Sequence, residues 1–263
     1  MSNVEFDNEH ALLKEVTREA GALALSYFRC KPKQWTKGRG DPVSEADLAV
    51  DSLLRDRLLG AFPSYGWLSE ETEDDKTRLG EKLVWIVDPI DGTRAFLEER
   101  PEFAVAAALV AGRRPVCGCV FNPATDEFFD ASLGSGARLN GAAIHVSGHD
   151  GFDGARLLAS ARIIKSTIEA MNVTPATYDA VNSVAYRMAL VACGIYDATL
   201  SLGPKSDWDL AAADLIVAEA GGLSTDREGA IYHYNEQTAR QPSLIAANPA
   251  LHKALVDVVA RID

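Results

Sequence analysis

Between residues 11 and 28 the apolar side chains Leu12, Val16, Ala20, Leu23, Ala24 and Tyr27 return every three or four positions, which predicts an amphipathic helix with one face on a core. A loop rich in Lys and Gly, residues 31–42, ends it. Ser44 opens a second predicted helix that reaches about Leu59, where Gly60 and Pro63 stop it. The period then shortens. β-type runs at 66–69, 83–87, 103–110, 116–121 and 127–131 are separated by turns, and a polar acidic loop, 70–81, lies between the first two. Its acids Glu73, Asp74 and Asp75 read as a solvated turn.

In the second half, β-type runs at 157–160, 198–202 and 244–247 alternate with helical runs at 183–193, 207–220 and 249–262. Alternation of this kind implies sheets with helices packed on their faces, a mixed α/β (α+β) class. No repeat and no low-complexity linker appears. The glycine-rich stretch 134–154 is the candidate junction in one unit of 263 residues, between an N-terminal α+β part, about 1–150, and a C-terminal α/β part, about 151–263.

Charge narrows the partners. A net charge of −12 repels a nucleic-acid backbone, whose binding needs clustered Lys and Arg, so no extended nucleic acid is expected. The acidic first ten residues lack the basic-then-apolar run of a secretory signal, and the longest apolar stretch, 103–111, is too short to span a bilayer. A cytoplasmic protein with no membrane partner is expected, monomer or homodimer. Cys117 and Cys119 alternate along one apolar run and so share a strand face, as reduced packing cysteines rather than a disulfide or zinc site.

The chemistry concentrates in Val84-Trp85-Ile86-Val87-Asp88-Pro89-Ile90-Asp91-Gly92-Thr93, an apolar strand that ends in two carboxylates three residues apart. Pro89 biases Asp88 toward extended backbone and Gly92 permits a tight turn, so the two acids can converge. At a separation of about 4 Å they would repel by roughly 4 kcal/mol at an effective dielectric near 20, a repulsion that a divalent cation reverses. An oxygen-only donor set favours Mg²⁺ over zinc. The plainer alternative is that Asp88 closes a turn and Asp91 caps a helix. Against it stand further acids in similar settings: Glu70 and Glu71 follow the run 66–69, and Asp209 sits at a predicted helix start, where an N-terminal charge is its own alternative. Gly92 and Thr93 open a short helix whose unpaired N–H groups suit a phosphate. Asp47, in Ser44-x-x-Asp47, either serves this site or completes a capping box.

Four motifs in order, Asp41-Pro42-Val43-Ser44-Glu45-Ala46-Asp47, Ser69-Glu70-Glu71, the segment from Trp85 to Thr93, and Trp208-Asp209-Leu210-Ala211-Ala212 with Glu219-Ala220-Gly221-Gly222, resemble the inositol monophosphatase superfamily of lithium-sensitive, magnesium-dependent phosphatases. The resemblance implies a layered αβαβα sandwich and two or three Mg²⁺ ions. It assigns Glu70, Asp88 and the Ile90 carbonyl to one ion, and Asp88, Asp91 and Asp209 to a second, and allows a looser third near Glu70 and Glu71. Thr93 and Asp47 would orient or deprotonate the attacking water, and Gly92 and Thr93 would grip the phosphate of a small phosphorylated substrate.

The leaving group is read elsewhere. Inositol-selective members carry a Glu where this chain has Ser201, aligned on Gly203, or Leu202, counted back from Asp209. The segment 203–209 is similar to the Gly-Pro-x-x-x-Trp-Asp spacing of the CysQ-type 3'(2'),5'-bisphosphate nucleotidases. That resemblance implies adenosine 3',5'-bisphosphate as substrate, with Lys205 or Arg187 on its second phosphate unless they are ordinary surface charge. Inositol 1-phosphate and histidinol phosphate are the alternatives, and a regulatory, protein-binding member of the superfamily is the non-enzymatic one. Trp67, Trp85 and Trp208 each neighbour an acid and read as core packing before base stacking. His145, His149 and His233 show no metal-like spacing.

Overall fold

The computed structural model describes residues 6–37, 40–159, 165 and 177–260. Helices α1 (Asp7–Tyr27) and α2 (Glu45–Ala61) pack side by side. The buried stripe Leu13, Val16, Ala20 and Ala24 on α1 is the apolar face that the spacing predicts, displaced by one residue at its start. Ser44 caps α2, its Oγ accepting from the Ala46 N–H at 3.2 Å. Part of the intervening loop is extended instead: β1 (Gln34–Lys37) and β2 (Asp41–Ser44) form an antiparallel ribbon. Its strands are short, β1 is largely exposed and β2 buries only Val43 and Ser44, so they carry no run of apolar residues by which to recognise them.

Under these helices lies a seven-stranded sheet: β3 (Gly66–Ser69), β4 (Leu83–Asp91), β5 (Ala104–Ala111), β6 (Arg114–Asn122), β7 (Glu127–Ser132), β8 (Ala137–Leu139) and β9 (Ala142–Ile144), in that order across the sheet. Only β3 and β4 run parallel, so Ser69 and Val87 stand abreast and Glu70 and Asp88 follow them at the same end. The glycine-rich stretch supplies β8 and β9 to this sheet.

Side chains alternate between two cores. Trp85, Val87, Val105, Ala107, Cys117 and Cys119 face α1 and α2, which puts both cysteines on one face, buried and reduced. Val84, Ile86, Ala104, Ala106 and Ala108 face α4 (Val184–Ala192) and α5 (Asp207–Glu219). A sheet covered on both faces reads as a continuous apolar run, which is why β5 contains no polar position. At Gly118 the sheet and α5 nearly touch: an added Cβ would lie 2.7 Å from the Ala212 carbonyl oxygen.

Beyond α4 and α5 is a second sheet, in the order β11 (Thr177–Asp179), β10 (Arg156–Leu158), β12 (Ala198–Ser201), β16 (Leu244–Ala247) and β14 (Leu223–Thr225). Its outer face packs on α6 (Pro249–Val259) through Leu157, Leu200, Ile245, Leu251 and Leu255. Helices, sheet, helices, sheet and helix follow one another, the layered α/β arrangement that the resemblance implies. A small ribbon of β13 (Lys205–Ser206) and β15 (Arg240–Gln241) stands beside the start of α5. Of the predicted elements, Ser160 and the end of the last helix at Ile262 lie outside the described residues. No helix among those residues is long and apolar enough to cross a membrane.

Candidate active site

In a regular strand, residues three apart point to opposite faces, so Asp88 and Asp91 could not meet if β4 stayed regular. The ladder between β4 and β5 breaks between them, at Pro89 and Ile90, and the bulge turns both carboxylates to one side. Asp209 reaches the same point from the first turn of α5. Carboxylate oxygens of Asp88, Asp91 and Asp209 all lie within 4.8 Å of one another. Asp209 and the pair Asp88 and Asp91, more than a hundred residues apart in the chain, are therefore one cluster.

Hydrogen bonds from the surroundings orient these acids. Asp91 Oδ2 accepts from Ser183 Oγ at 2.6 Å and from the Ala185 N–H at 2.6 Å, at the start of α4. Asp209 Oδ2 accepts from the Ser206 N–H at 2.8 Å, so the residue closes its own helix start as well as joining the cluster. Asp88 Oδ1 is buried with no hydrogen-bond partner among the described residues. Burial raises the Asp88 carboxyl well above its ordinary range, and the nearby charges of Glu70, Asp91 and Asp209 raise it further. Asp209 is pushed up to about 7 by burial and then by Asp91. An orphaned buried carboxylate oxygen amid repelling acids is what a hard divalent cation satisfies, and the donors are oxygens throughout.

Glu70 stands outside that tight trio but is the neighbouring charge with the largest effect on Asp88. Lys37 Nζ, from β1, bridges Glu70 Oε1 at 3.0 Å and Glu71 Oε1 at 2.6 Å. Burial holds the Glu71 carboxyl near 7, although Lys37 pulls it down. Behind Glu70, Ser69 Oγ donates to the buried Asp51 Oδ1, and Thr72 Oγ1 donates to Asp51 Oδ2 at 2.8 Å, which anchors the acidic turn.

Asp47 completes the capping box and also touches Thr93. Its Oδ2 accepts from the Ser44 N–H at 2.8 Å and from Ser44 Oγ at 2.6 Å, completing the cap of α2. Its Oδ1 accepts from Thr93 Oγ1 at 3.1 Å. Burial, the largest influence, raises the Asp47 carboxyl despite these bonds. Thr93 begins the one-turn helix α3 (Thr93–Leu97), and Gly92 before it takes φ 94°, a left-handed conformation where a Cβ would also press on the Glu102 carbonyl oxygen at 3.0 Å.

A cavity of about 720 Å³ opens over Glu70 and Asp209, with Lys76, Trp208, Gln237 and Arg240 among its walls. Trp85 is core packing, as expected, and Trp67 packs against the same core with its Nε1 donating to Thr72 Oγ1 at 3.3 Å. Trp208 packs on the other core and lines the cavity as well. Arg187, on α4, is not a surface charge: its guanidinium is buried, faces Asp91 and Asp209, and leaves Nε without a partner among the described residues. Lys205 is half-buried among Asp209, Arg187 and Arg240, and burial depresses its pKa.

The solvated-turn reading of 73–75 fails at Asp74. That carboxylate takes Arg78 Nε at 3.0 Å and Nη2 at 2.8 Å, and Arg78 is wholly buried. The pattern of acids also gave no notice of Lys37, Arg78, Asp207 or Arg240. The Asp74 to Arg78 spacing of four was the one available signal.

Residues 7–263 match the model of the inositol monophosphatase family. An inositol-1-monophosphatase of Rhizobium meliloti (strain 1021) is 36% identical over 261 residues, covering 96% of each chain. A protein of Xylella fastidiosa named Nus factor SuhB is 32% identical, covering 94% of this chain and 93% of its own length. A solved IMPase from Thermotoga maritima superposes with a TM-score of 0.85 at 28% identity, covering 97% of both chains. With the acidic trio, the Thr93–Asp47 contact and the layered fold all in place, this match along nearly the whole chain makes it a phosphatase that belongs to the inositol monophosphatase family.

Proposed function

We infer that the chain is a magnesium-dependent phosphomonoesterase that hydrolyses a small phosphorylated metabolite. The carrying observation is the hydroxyl of Thr93 bonded to the buried Asp47 carboxylate beside the acids of Asp88, Asp91 and Asp209. Glu70, Asp88, Asp91, Asp209 and the Ile90 carbonyl are the residues that would hold magnesium. When bound, magnesium supplies positive charge for the phosphoryl oxygens and the leaving oxygen and makes water more acidic.

The chain's own groups do the rest. Thr93 Oγ1 donates its proton toward Asp47 Oδ1 and offers its lone pairs to the attacking water, so a proton can pass from water to Thr93 and on to Asp47. A raised pKa makes Asp47 a better proton acceptor than a solvated carboxylate. The N–H groups of Gly92 and Thr93, at the start of α3, would hold the phosphate.

The names of the relatives support an inositol phosphate as substrate. A second reading, the 3'(2'),5'-bisphosphate nucleotidase, is favoured by Ser201 or Leu202 at the position where the resemblance expects a Glu in inositol-selective members, and by Arg187, Lys205 and Arg240 gathered beside Asp209. Lys205 Nζ has one hydrogen bond among the described residues, to the Pro204 carbonyl oxygen at 3.4 Å, which leaves it capacity for an anion. Steady-state hydrolysis of inositol 1-phosphate, adenosine 3',5'-bisphosphate and histidinol phosphate, with magnesium and with added lithium, tests both. A preference above about tenfold for the inositol ester removes the nucleotidase reading, and the reverse preference removes the inositol one. Turnover of none of them removes the phosphatase reading. In that case a regulatory role, the role suggested by the name of the Xylella relative, becomes the better account.

A further inference from the structure

Arg78 is the most completely buried cation among the described residues, yet it touches none of the acids at the metal site. Besides its bidentate grip on Asp74, its Nη1 donates to Asn235 Oδ1 at 2.7 Å and its Nη2 to the Glu236 carbonyl oxygen at 3.0 Å. The Asn235 N–H donates to Asp207 Oδ2 at 3.1 Å, and Gln241 Nε2 donates to Asp207 Oδ1 at 2.8 Å. Lys76 Nζ ties the same two loops at the rim, donating to the Gln237 carbonyl oxygen at 3.0 Å. Asp207 is the first residue of α5, two before Asp209.

One run of hydrogen bonds therefore joins three segments remote in sequence: the acidic loop, the stretch 235–241 and the start of α5. These segments are the walls of the cavity above Asp209, contributing Lys76, Gln237 and Trp208 to it. Burying a guanidinium and carboxylates costs as much as their attraction returns, so such a network contributes geometry more than stability. Asp88, Asp91 and Thr93, on β4 and α3, take no hydrogen bond from it, and Glu70 and Asp209 are joined to it only along the chain.

We propose that Arg78 is a positioning residue for the leaving group: through Asp74, Asn235 and Asp207 it fixes the two loops that the non-phosphate part of the substrate must fit between. The proposal rests on the phosphatase reading and says which part of the chain reads the substrate's body. Esters with a bulky, polar leaving group depend on it, and an ester whose leaving group makes few wall contacts does not.

The test is kinetic. Arg78→Met and Asn235→Gly are compared with wild type on the best ester of the substrate panel and on para-nitrophenyl phosphate. Asn235 has φ 59°, so glycine keeps its backbone conformation while deleting the acceptor, and this variant stands in if Arg78→Met does not fold. The expected result is a KM for the panel ester raised roughly tenfold with kcat within about threefold, and little change on para-nitrophenyl phosphate. Equal losses on both esters, or an unchanged KM, overturn the proposal. Amide hydrogen exchange of 72–80 and 235–241 gives a second readout independent of activity: both segments exchange faster together in Asn235→Gly, and unchanged protection also overturns it. A wild type that hydrolyses neither ester defeats the phosphatase reading instead, and the exchange result still decides whether the two loops are coupled.

Discussion

Thr93 Oγ1 stands 3.1 Å from Asp47 Oδ1 and 3.0 Å from the Ile90 carbonyl oxygen, with one proton for the two. If the Ile90 carbonyl turns to a cation, the hydroxyl is left to Asp47 alone, which couples metal occupancy to the orientation of the proton relay.

Thr93→Ala should therefore lower kcat by about 10²- to 10⁴-fold, the usual range for losing a proton-transfer group. Magnesium affinity by calorimetry should change by a few-fold at most, and Thr93→Ser should keep most of the activity. A wild-type rate in Thr93→Ala would refute the relay.

Asp209→Asn removes one charge from the trio and keeps the oxygen that accepts from the Ser206 N–H. Magnesium affinity should fall by about tenfold or more in a calorimetric titration. The metal-free variant should melt higher than metal-free wild type at pH 8, because repulsion among the acids is relieved. An unaltered affinity would separate Asp209 from the metal.

The metal-free protein should lose stability as pH rises. Asp209 has an ordinary value of 3.8 and a folded value of about 7, so between those pH values the folded chain holds a proton that the unfolded chain has released. Stability gained from that proton is present below about pH 4 and is lost as pH passes through 7, and the upward shifts of Asp88 and Asp91 act in the same direction. Melting followed from pH 5 to pH 8 should show a fall on the order of several degrees without magnesium and a flatter profile with it. A rising profile for the metal-free protein would contradict the assignment.

Two glycines should respond with opposite signs. Gly118→Ala drives a Cβ into the Ala212 backbone and should cost about 1–3 kcal/mol in urea unfolding. Gly60, within α2, has open space around it, and Gly60→Ala should add about 0.5–1 kcal/mol.

The local periods already carry much of the architecture: the stripe on α1, the cap at Ser44, the apolar runs of β4 to β6 and the start of α5 at Asp207 all follow from residue spacing and capping chemistry. Elements too short or too exposed to bury an apolar face, such as β1, β2, β13 and β15, leave no such trace. The candidate site divides in the same way. Asp88, Asp91, Glu70 and Asp209 announce themselves because acids at the ends of apolar elements are conspicuous. Asp74, by contrast, looks like a solvated turn until Arg78 is seen to fold back onto it.

Residue order alone determined the longer helices and the apolar strands, and which carboxylates lie at the ends of buried elements, since these depend on neighbours a few positions away. Tertiary structure alone decided that Asp209 meets Asp88 and Asp91, that Arg187 is buried behind them rather than exposed, and that Arg78 joins the walls of the cavity. Charges act through space, and the distance between residues more than a hundred positions apart is set only when both sheets close on α4 and α5.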